Sequence, residues 1–352
     1  MMGRFERGGR FKVGIRIHMR KKLNCRFEDI ASLENLFCAW EEFSKGKRSK
    51  QDVIEFRLGL TSNIFSLHQD LLAGKYQHGG YEAFNINDSK PRSIHKARVR
   101  DRLVHHAVYR VLYPLYDKKF ISDSYSCRDG KGTHRAIAQF RKYARGASQN
   151  GTKTCWVLKC DIRKFFASIN HEILLEILRR DIQDQKILSL LESIISSFSA
   201  ADASKGLPLG NLTSQLLVNV YMNEFDHFAK QKLRINHYIR YADDFVVLSN
   251  DKKELEAILL KFMSFLNDKL KLEVHPNKVS IETFASGVDF LGWVHFPSHT
   301  LLRTATKRRM LTRINKSESE GTLQSYLGML RHGDTHELKK RVLLNSEIPR
   351  QY

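Results

Sequence analysis

The chain has 352 residues, 42% hydrophobic and 10% aromatic, enough to bury a core and to exclude wholesale disorder. Its 59 Lys and Arg against 38 Asp and Glu leave a formal charge of +21, which points to a polyanionic partner. No stretch reaches the ~18 uncharged apolar residues of a bilayer span and no apolar leader follows the basic N-terminus, so a cytoplasmic protein with no membrane partner is expected.

Taken in chain order, residues 1–24 hold eight Lys or Arg against Glu6 alone, and 1–50 reads as a basic N-terminal extension. Apolar spacing predicts a helix over 52–73, with Gly74 as its stop. A second basic cluster covers 90–110. Within it, Leu103, Val104, Ala107, Val108, Val111, Leu112 and Leu115 recur at three and four residue intervals. That pattern predicts an amphipathic helix over 100–117 whose other face carries Arg and His, with His105 and His106 solvated or touching RNA. Tyr, Phe and Arg interleave through 109–128, either buried or stacking on a single strand. The segment Cys155–Cys160 suits a buried strand, and five cysteines without a CxxC pair indicate neither a disulfide framework nor a zinc site.

Asn170 can cap a helix starting at His171, and a further helix is predicted over 184–198. After Gly206, Pro208 and Gly210 a long helix should run from about 212 to 232. Short strands follow at Tyr238–Tyr241 and Phe245–Leu248, then a helix over 252–270 and β-type segments near 279–284 and 288–296. From 304 the pattern is polar, basic and helical, and 301–352 holds eleven basic residues against five acidic ones. The basic clusters are either solvated faces or separate walls of one groove. His332 and His336 have the spacing of a metal pair, but without a third ligand they read as surface histidines.

The sharpest chemical feature is Tyr241-Ala242-Asp243-Asp244 between two alternating apolar segments. Adjacent carboxylates at a tight turn repel one another and are costly unless a cation sits with them. Hard oxygen donors there suit Mg²⁺, which typically takes one or two carboxylates plus substrate phosphates. Asp161 ends the apolar strand at Cys160 and supplies a second carboxylate from another strand end, as two-metal phosphoryl transfer requires.

These residues resemble the reverse transcriptases, and the likeness runs from about residue 50 to 300. KPRSIHKARVRDRLVHHAV and SYSCRDGKGTHRA resemble the two fingers motifs, and LKCDIRKFFASINH the first catalytic palm motif. GLPLGNLTSQ is similar to the motif over the nascent base pair, YADDFVVL to the second catalytic motif, and LEVHPNKVSI with FLGW to the last palm segments and the primer grip. The resemblance implies an α/β (α+β) right-hand polymerase. It would have helix-rich fingers over 51–160, a palm with an antiparallel sheet and part of the fingers over 161–300, and a small helical thumb over 301–352. It also implies polymerisation of DNA on template RNA from a DNA primer, with dNTPs as substrates.

Carried over residue by residue, Asp161 and Asp243 would bind two Mg²⁺ ions, with Mn²⁺ able to substitute, Asp244 in support and the Ile162 carbonyl as a backbone ligand. Phe166 matches the bulky side chain set against the sugar 2′ position. Lys90 and Arg92 match residues that hold the triphosphate, as does the loop at Leu209 and Gly210. Lys278 matches a lysine near the triphosphate or its pyrophosphate product, a solvated strand-end lysine being the other reading. Phe290, Leu291, Gly292 and Trp293 match the primer grip.

One departure narrows the resemblance. Most of the family has Gln-Gly-x-x-x-Ser-Pro over the nascent pair, whereas this chain has Leu209-Gly210-Asn211-Leu212-Thr213-Ser214-Gln215. That form resembles the reverse transcriptases of diversity-generating retroelements, bacterial or phage-encoded, which copy template RNA with errors at adenines and work with a small basic oligomeric accessory protein. Leu209 and Gln215 are then the fidelity residues, an aliphatic group replacing an amide near the template base. Group II intron-like, retron-like and defence-associated reverse transcriptases are the alternatives within the family, and a non-catalytic RNA-binding ribonucleoprotein module is the alternative outside it.

Overall fold

The computed structural model describes residues 22–87, 91–200, 202, 204–316 and 319–347; most of the first basic cluster, and Lys90, lie outside them. Segment 27–44, counted from sequence in the N-terminal extension, forms α1 (Phe27–Ala31) and α2 (Leu33–Ser44). The Ser32 hydroxyl caps α2 by accepting from the Asn35 amide, and Leu36, Ala39, Trp40 and Phe43 are buried. The helix expected over 52–73 is two helices, α3 (Gln51–Leu58) and α4 (Leu60–Leu72), because Gly59 leaves helical geometry at φ −111°, and the Asn63 amide covers the freed Phe56 carbonyl at 2.9 Å.

A hairpin that sequence periodicity did not indicate follows, β1 (Tyr81–Asn87) and β2 (Pro91–Ala97), antiparallel with Phe84 opposite Ile94 and Ile86 opposite Arg92. The expected amphipathic helix is α5 (Val99–Asp117), and a further helix, α6 (Thr133–Ala147), buries Ala136, Ile137, Phe140 and Ala144. Tyr113, Tyr116, Phe120 and Tyr125 are buried, so most of the interleaved aromatic stretch is core. His105 is a correction: it is 1% exposed, its Nε2 lying 3.0 Å from Nε2 of His78.

The central sheet is antiparallel, in the order β4 (Tyr238–Tyr241), β5 (Asp244–Ser249), β3 (Trp156–Asp161), β6 (Ser280–Thr283). After β3 come the single turn α7 (Phe165–Ser168), α8 (His171–Asp181) and α9 (Gln185–Ser196). Asn170 caps α8 as its side-chain oxygen accepts from the Ile173 amide, and Asp184 caps α9 in the same way. Helix α10 (Leu212–His227) is buried on almost every side, its polar Asn219, Asn223 and Asp226 included, and ends in a π turn at Phe228–Lys232. Helix α11 (Lys252–Leu270) covers β3 and β5.

The β-type segment expected near 288–296 is a hairpin, β7 (Val288–Phe290) and β8 (Trp293–His295), extended by β9 (Thr300–Leu302). Leu291 at φ +52° and Gly292 at φ +87° make its two-residue turn, a pair of left-handed residues matching the twist of the strands. The tail is helical, α12 (Thr304–Lys316), α13 (Glu320–Leu330) and α14 (His336–Glu347). The fold is thus mixed helix and antiparallel sheet. No described helix is long and apolar enough to cross a membrane.

Candidate active site

Neighbouring strands bring the three acidic residues together. Asp161, at the end of β3, is the register partner of Asp244, at the start of β5, and the Ile162 amide donates to the Asp243 carbonyl at 3.2 Å. Ala242 closes the β4–β5 turn at φ +56°, a conformation costing an L-residue roughly 1–2 kcal/mol, so something must hold the turn.

Arg240 holds it. Its side chain is fully buried, and its guanidinium donates to both Asp226 oxygens at 2.8 and 2.7 Å, to Ser124 Oγ at 2.9 Å, to Asn219 Oδ1 at 3.3 Å and to the Ala242 carbonyl at 3.1 Å. The Tyr238 hydroxyl donates to Asp226 at 2.7 Å, which helps satisfy the buried carboxylate. An unpaired charge at this depth would cost about 3–5 kcal/mol, so Arg240 and Asp226 depend on one another. Sequence reasoning passed over both, although an Arg within an apolar strand is a signal of a buried pair.

Electrostatically the site is crowded with carboxylates. Burial and then Asp161 push the Asp243 carboxyl above the usual range, with Lys278 and Arg92 pulling the other way. Burial, then Asp243 and Asp161, push Asp244 up to about 7. The Lys278 ammonium lies 2.6 Å from Asp161 Oδ1. That lysine sits in the Pro276–Lys278 turn, tied to the site because the His275 amide donates to the Asp161 carbonyl at 2.8 Å.

Among the described residues no group of three or more His, Cys, Asp or Glu side chains stands ready to hold a metal. Two neighbouring hard carboxylates, Asp161 and Asp243, with substrate phosphates completing the shell, nevertheless fit the donor set of a divalent ion such as Mg²⁺. Burial and mutual crowding disfavour the ionised forms of Asp243 and Asp244, a cost that a cation placed among them would offset.

Arg92 lies on β2 near enough to favour the ionised form of Asp243. The β2 strand is fastened to the Leu209–Asn211 loop: the His95 amide donates to the Leu209 carbonyl at 3.1 Å and the Asn211 side-chain amide to the His95 carbonyl at 3.0 Å. Gly210 adopts φ +108°, and a Cβ there would stand 2.9 Å from Ile94 Cγ2. Gln215 lies one turn into α10, partly exposed. Phe166 is partly exposed and meets the buried Phe165 edge-on at 5.6 Å.

Phe290 and Trp293 flank the Leu291–Gly292 turn and face different neighbours. Phe290 packs on Phe140 at 5.2 Å, whereas Trp293 belongs to the apolar cluster of Met310, Ile314 and Leu330 in the helical tail. Lys159 on β3 donates to the Asp289 carbonyl at 2.5 Å, joining this hairpin to the strand that carries Asp161.

Much of the second basic cluster is spent on ion pairs. Lys96 and Arg102 share Asp52, Arg100 pairs with Asp70 at 2.6 Å, and Arg110 pairs with Glu42. His332 stacks on His134, with ring centroids 3.5 Å apart, while His336 stands beside Glu337.

The family model described as reverse transcriptase (RNA-dependent DNA polymerase) matches residues 85–295. Protein YkfC of Escherichia coli K12 is 27% identical over 296 residues, covering 72% of this chain and 74% of that one. The group II intron-encoded protein LtrA of Lactococcus lactis subsp. cremoris is 23% identical over 274 residues, covering 59% of this chain but only 45% of LtrA. A telomerase structure from Candida albicans superposes with a TM-score of 0.51 at 12% identity, covering 74% of this chain and 51% of that one, which is a likeness of fold.

Proposed function

The chain belongs to the reverse transcriptase family, and from that premise we propose that its Asp161, Asp243 and Asp244 site copies template RNA into cDNA in a diversity-generating retroelement. The observation that carries the polymerase chemistry is the convergence of Asp161 with the Asp243–Asp244 turn at the ends of β3 and β5. The primer 3′-hydroxyl attacks the α-phosphorus of a dNTP: a bond forms between O3′ and phosphorus, the bond to the bridging oxygen breaks, pyrophosphate leaves and the hydroxyl proton is released.

Asp161 and Asp243 would hold the divalent ions, with the Ile162 carbonyl as a further oxygen donor and Asp244 in support. Such ions would supply charge neutralisation and a lowered pKa at the attacking hydroxyl, and Mg²⁺ or Mn²⁺ would suit the donor set. Arg92, with Lys90 as the resemblance implies, would bind the triphosphate, Arg suiting bidentate contact with phosphate oxygens. Lys278 would lie against the triphosphate or the departing pyrophosphate. Phe166 would close the space next to the sugar 2′ carbon and so favour deoxynucleotides. The turn from Phe290 to Trp293 would seat the primer end, between fingers and palm on one side and a helical thumb from 301 on the other.

The finer assignment rests on the resemblance at Leu209 and Gln215. An aliphatic side chain at 209 removes a polar constraint on the nascent pair, which supports error-prone copying at template adenines. A small basic oligomeric accessory protein would then be a partner, and the host bacterial or phage-borne. LtrA among the relatives favours a second reading, a group II intron-like reverse transcriptase with ordinary fidelity. Sequencing cDNA made from a defined RNA tests the difference. An excess of errors opposite adenine that Leu209→Gln suppresses is expected, and a flat error spectrum in the unaltered enzyme contradicts it.

A further inference from the structure

Tyr241, Asp244 and Asp161 form one row across the central sheet, because Asp244 is the register partner of Tyr241 on β4 and of Asp161 on β3. Register partners project to the same face with Cβ atoms about 4.5–5.5 Å apart. The Tyr241 ring therefore walls the carboxylates on one side, as Lys278, bonded to Asp161, does on the other. The hydroxyl of Thr133, the first residue of α6, donates to the Tyr241 hydroxyl at 3.1 Å. We propose that Thr133 is a positioning residue for nucleotide addition, its hydroxyl holding the Tyr241 ring against the carboxylate row. The assignment deepens the polymerase reading and rests on it.

The sheet face is the first argument. Side chains alternate along a strand, so Tyr241 shares a face with Ile239, Asp244 with Val246 and Leu248, and Asp161 with Val157. Those four apolar residues pack in one cluster with Ala136, Phe140 and Ala144 of α6. Helix α6 thus covers the face that carries the row, and its first residue reaches the row's end. The Tyr241 ring packs on the same cluster but stays partly exposed. Beside a turn that Ala242 makes at positive φ, such a ring keeps a choice of staggered rotamers unless its tip is tied. Among the described residues, Thr133 is the one side chain that bonds its hydroxyl.

The anchoring of Thr133 is the second. The Gly132 amide donates to the Tyr125 carbonyl at 2.9 Å and the Tyr125 amide to the Arg240 carbonyl at 3.0 Å, so the start of α6 is tied to the residue before Tyr241. On the other side, His134 stacks on His332 of the helical tail. Ile137, one turn on, enters the apolar cluster of Trp293, Met310 and Leu330. Thr133 therefore stands on a helical turn gripped by β4 and by the tail. A hydroxyl presented from a fixed base can restrain the ring it bonds, as the shell around a reacting group must.

The experiment measures kcat and KM for addition of one dNTP by the full chain to a DNA primer on an RNA template, with duplex affinity and melting temperature read alongside. Thr133→Val removes the hydroxyl but keeps the branched shape. It should lower kcat roughly three- to ten-fold, the worth of one hydrogen bond, with KM, duplex affinity and melting temperature little changed. Thr133→Ser keeps the hydroxyl and should restore the parental kcat. Tyr241→Phe removes the acceptor, and adding Thr133→Val to it should cost nothing more. Parental kcat in Thr133→Val, a loss confined to KM, equal losses in the Val and Ser variants, or a double variant slower than Tyr241→Phe by the full Val factor each overturns the assignment. So does a kcat loss that tracks a lowered melting temperature. A parent that adds no nucleotide overturns the polymerase reading and this assignment with it, whereas the variant outcomes leave that reading standing.

Discussion

The guanidinium of Arg240 donates to the carbonyl of Ala242 at 3.1 Å, so a fully buried cation on β4 grips the turn that presents Asp243. The same guanidinium forks onto Asp226 in α10, which ties this turn to the most buried of the described helices. Arg240→Ala leaves Asp226 unpaired and should lower unfolding stability by about 3–5 kcal/mol in urea titrations. Arg240→Lys keeps the charge but cannot reach Asp226, Ser124 and Ala242 together. It should fold, yet lose ten-fold or more in the rate of nucleotide addition with template affinity little altered.

Gly210 provides a second positional test. Its Ala variant sets a Cβ 2.9 Å from Ile94 and forces an L-residue to φ +108°. The β2 strand must then move, and Arg92 with it, so the KM for dNTP should rise several-fold. Adding Ile94→Ala removes the collision but not the backbone cost, so recovery should be partial. An unchanged KM for the single variant would contradict the fastening of β2 to this loop.

Acid should unfold the protein through its buried histidines. Burial is the main cause that lowers His105 to about 3 and His295 to about 4, so both stay neutral in the fold well below the ordinary value of 6.5. Between pH 6.5 and about 4 the unfolded chain binds protons that the folded chain refuses. The contribution of these histidines is therefore full above pH 6.5 and is lost as pH falls, by up to about 1.4 kcal/mol per pH unit for each. Denaturant midpoints measured from pH 7 to 4.5 check this, and His105→Phe should flatten the slope.

The carboxylates give the opposite sign. Asp244 holds its proton to about 7 in the fold, whereas the unfolded chain releases it near 3.8. In chelator, stability should fall as pH rises from about 4 to about 7, because the folded state binds more protons over that window. Asp244→Asn should accordingly raise the melting temperature in chelator at pH 8 and change it little at pH 4. Equal effects at the two pH values would contradict the crowding of Asp161, Asp243 and Asp244.

What the sequence made legible was what periodicity and local chemistry encode. The strands around Asp161 and Asp243, the cap at Asn170 and the long helix after Gly210 all follow from apolar spacing and turn residues. The β1–β2 hairpin escaped because its large apolar residues are few, Tyr81, Phe84 and Ile86 on β1 and Ile94 on β2, and because β2 is fastened to the Leu209–Asn211 loop, remote in sequence. His105 was misjudged because its neighbours on α5 are basic, while its burial comes from His78 on a distant segment. Arg240 and Asp226 are 14 residues apart and pair only once α10 and β4 pack together. Long-range pairing of this kind leaves no local pattern to read.

Addition of one labelled dNTP to a DNA primer on an RNA template, in the presence of Mg²⁺, bears most directly on the central claim. The unaltered enzyme should extend the primer, and Asp161→Asn and Asp243→Asn should each slow extension roughly a thousand-fold or more while binding the duplex within a few-fold of the parent. Extension by either variant at the parental rate would contradict the assignment of these carboxylates as the catalytic centre.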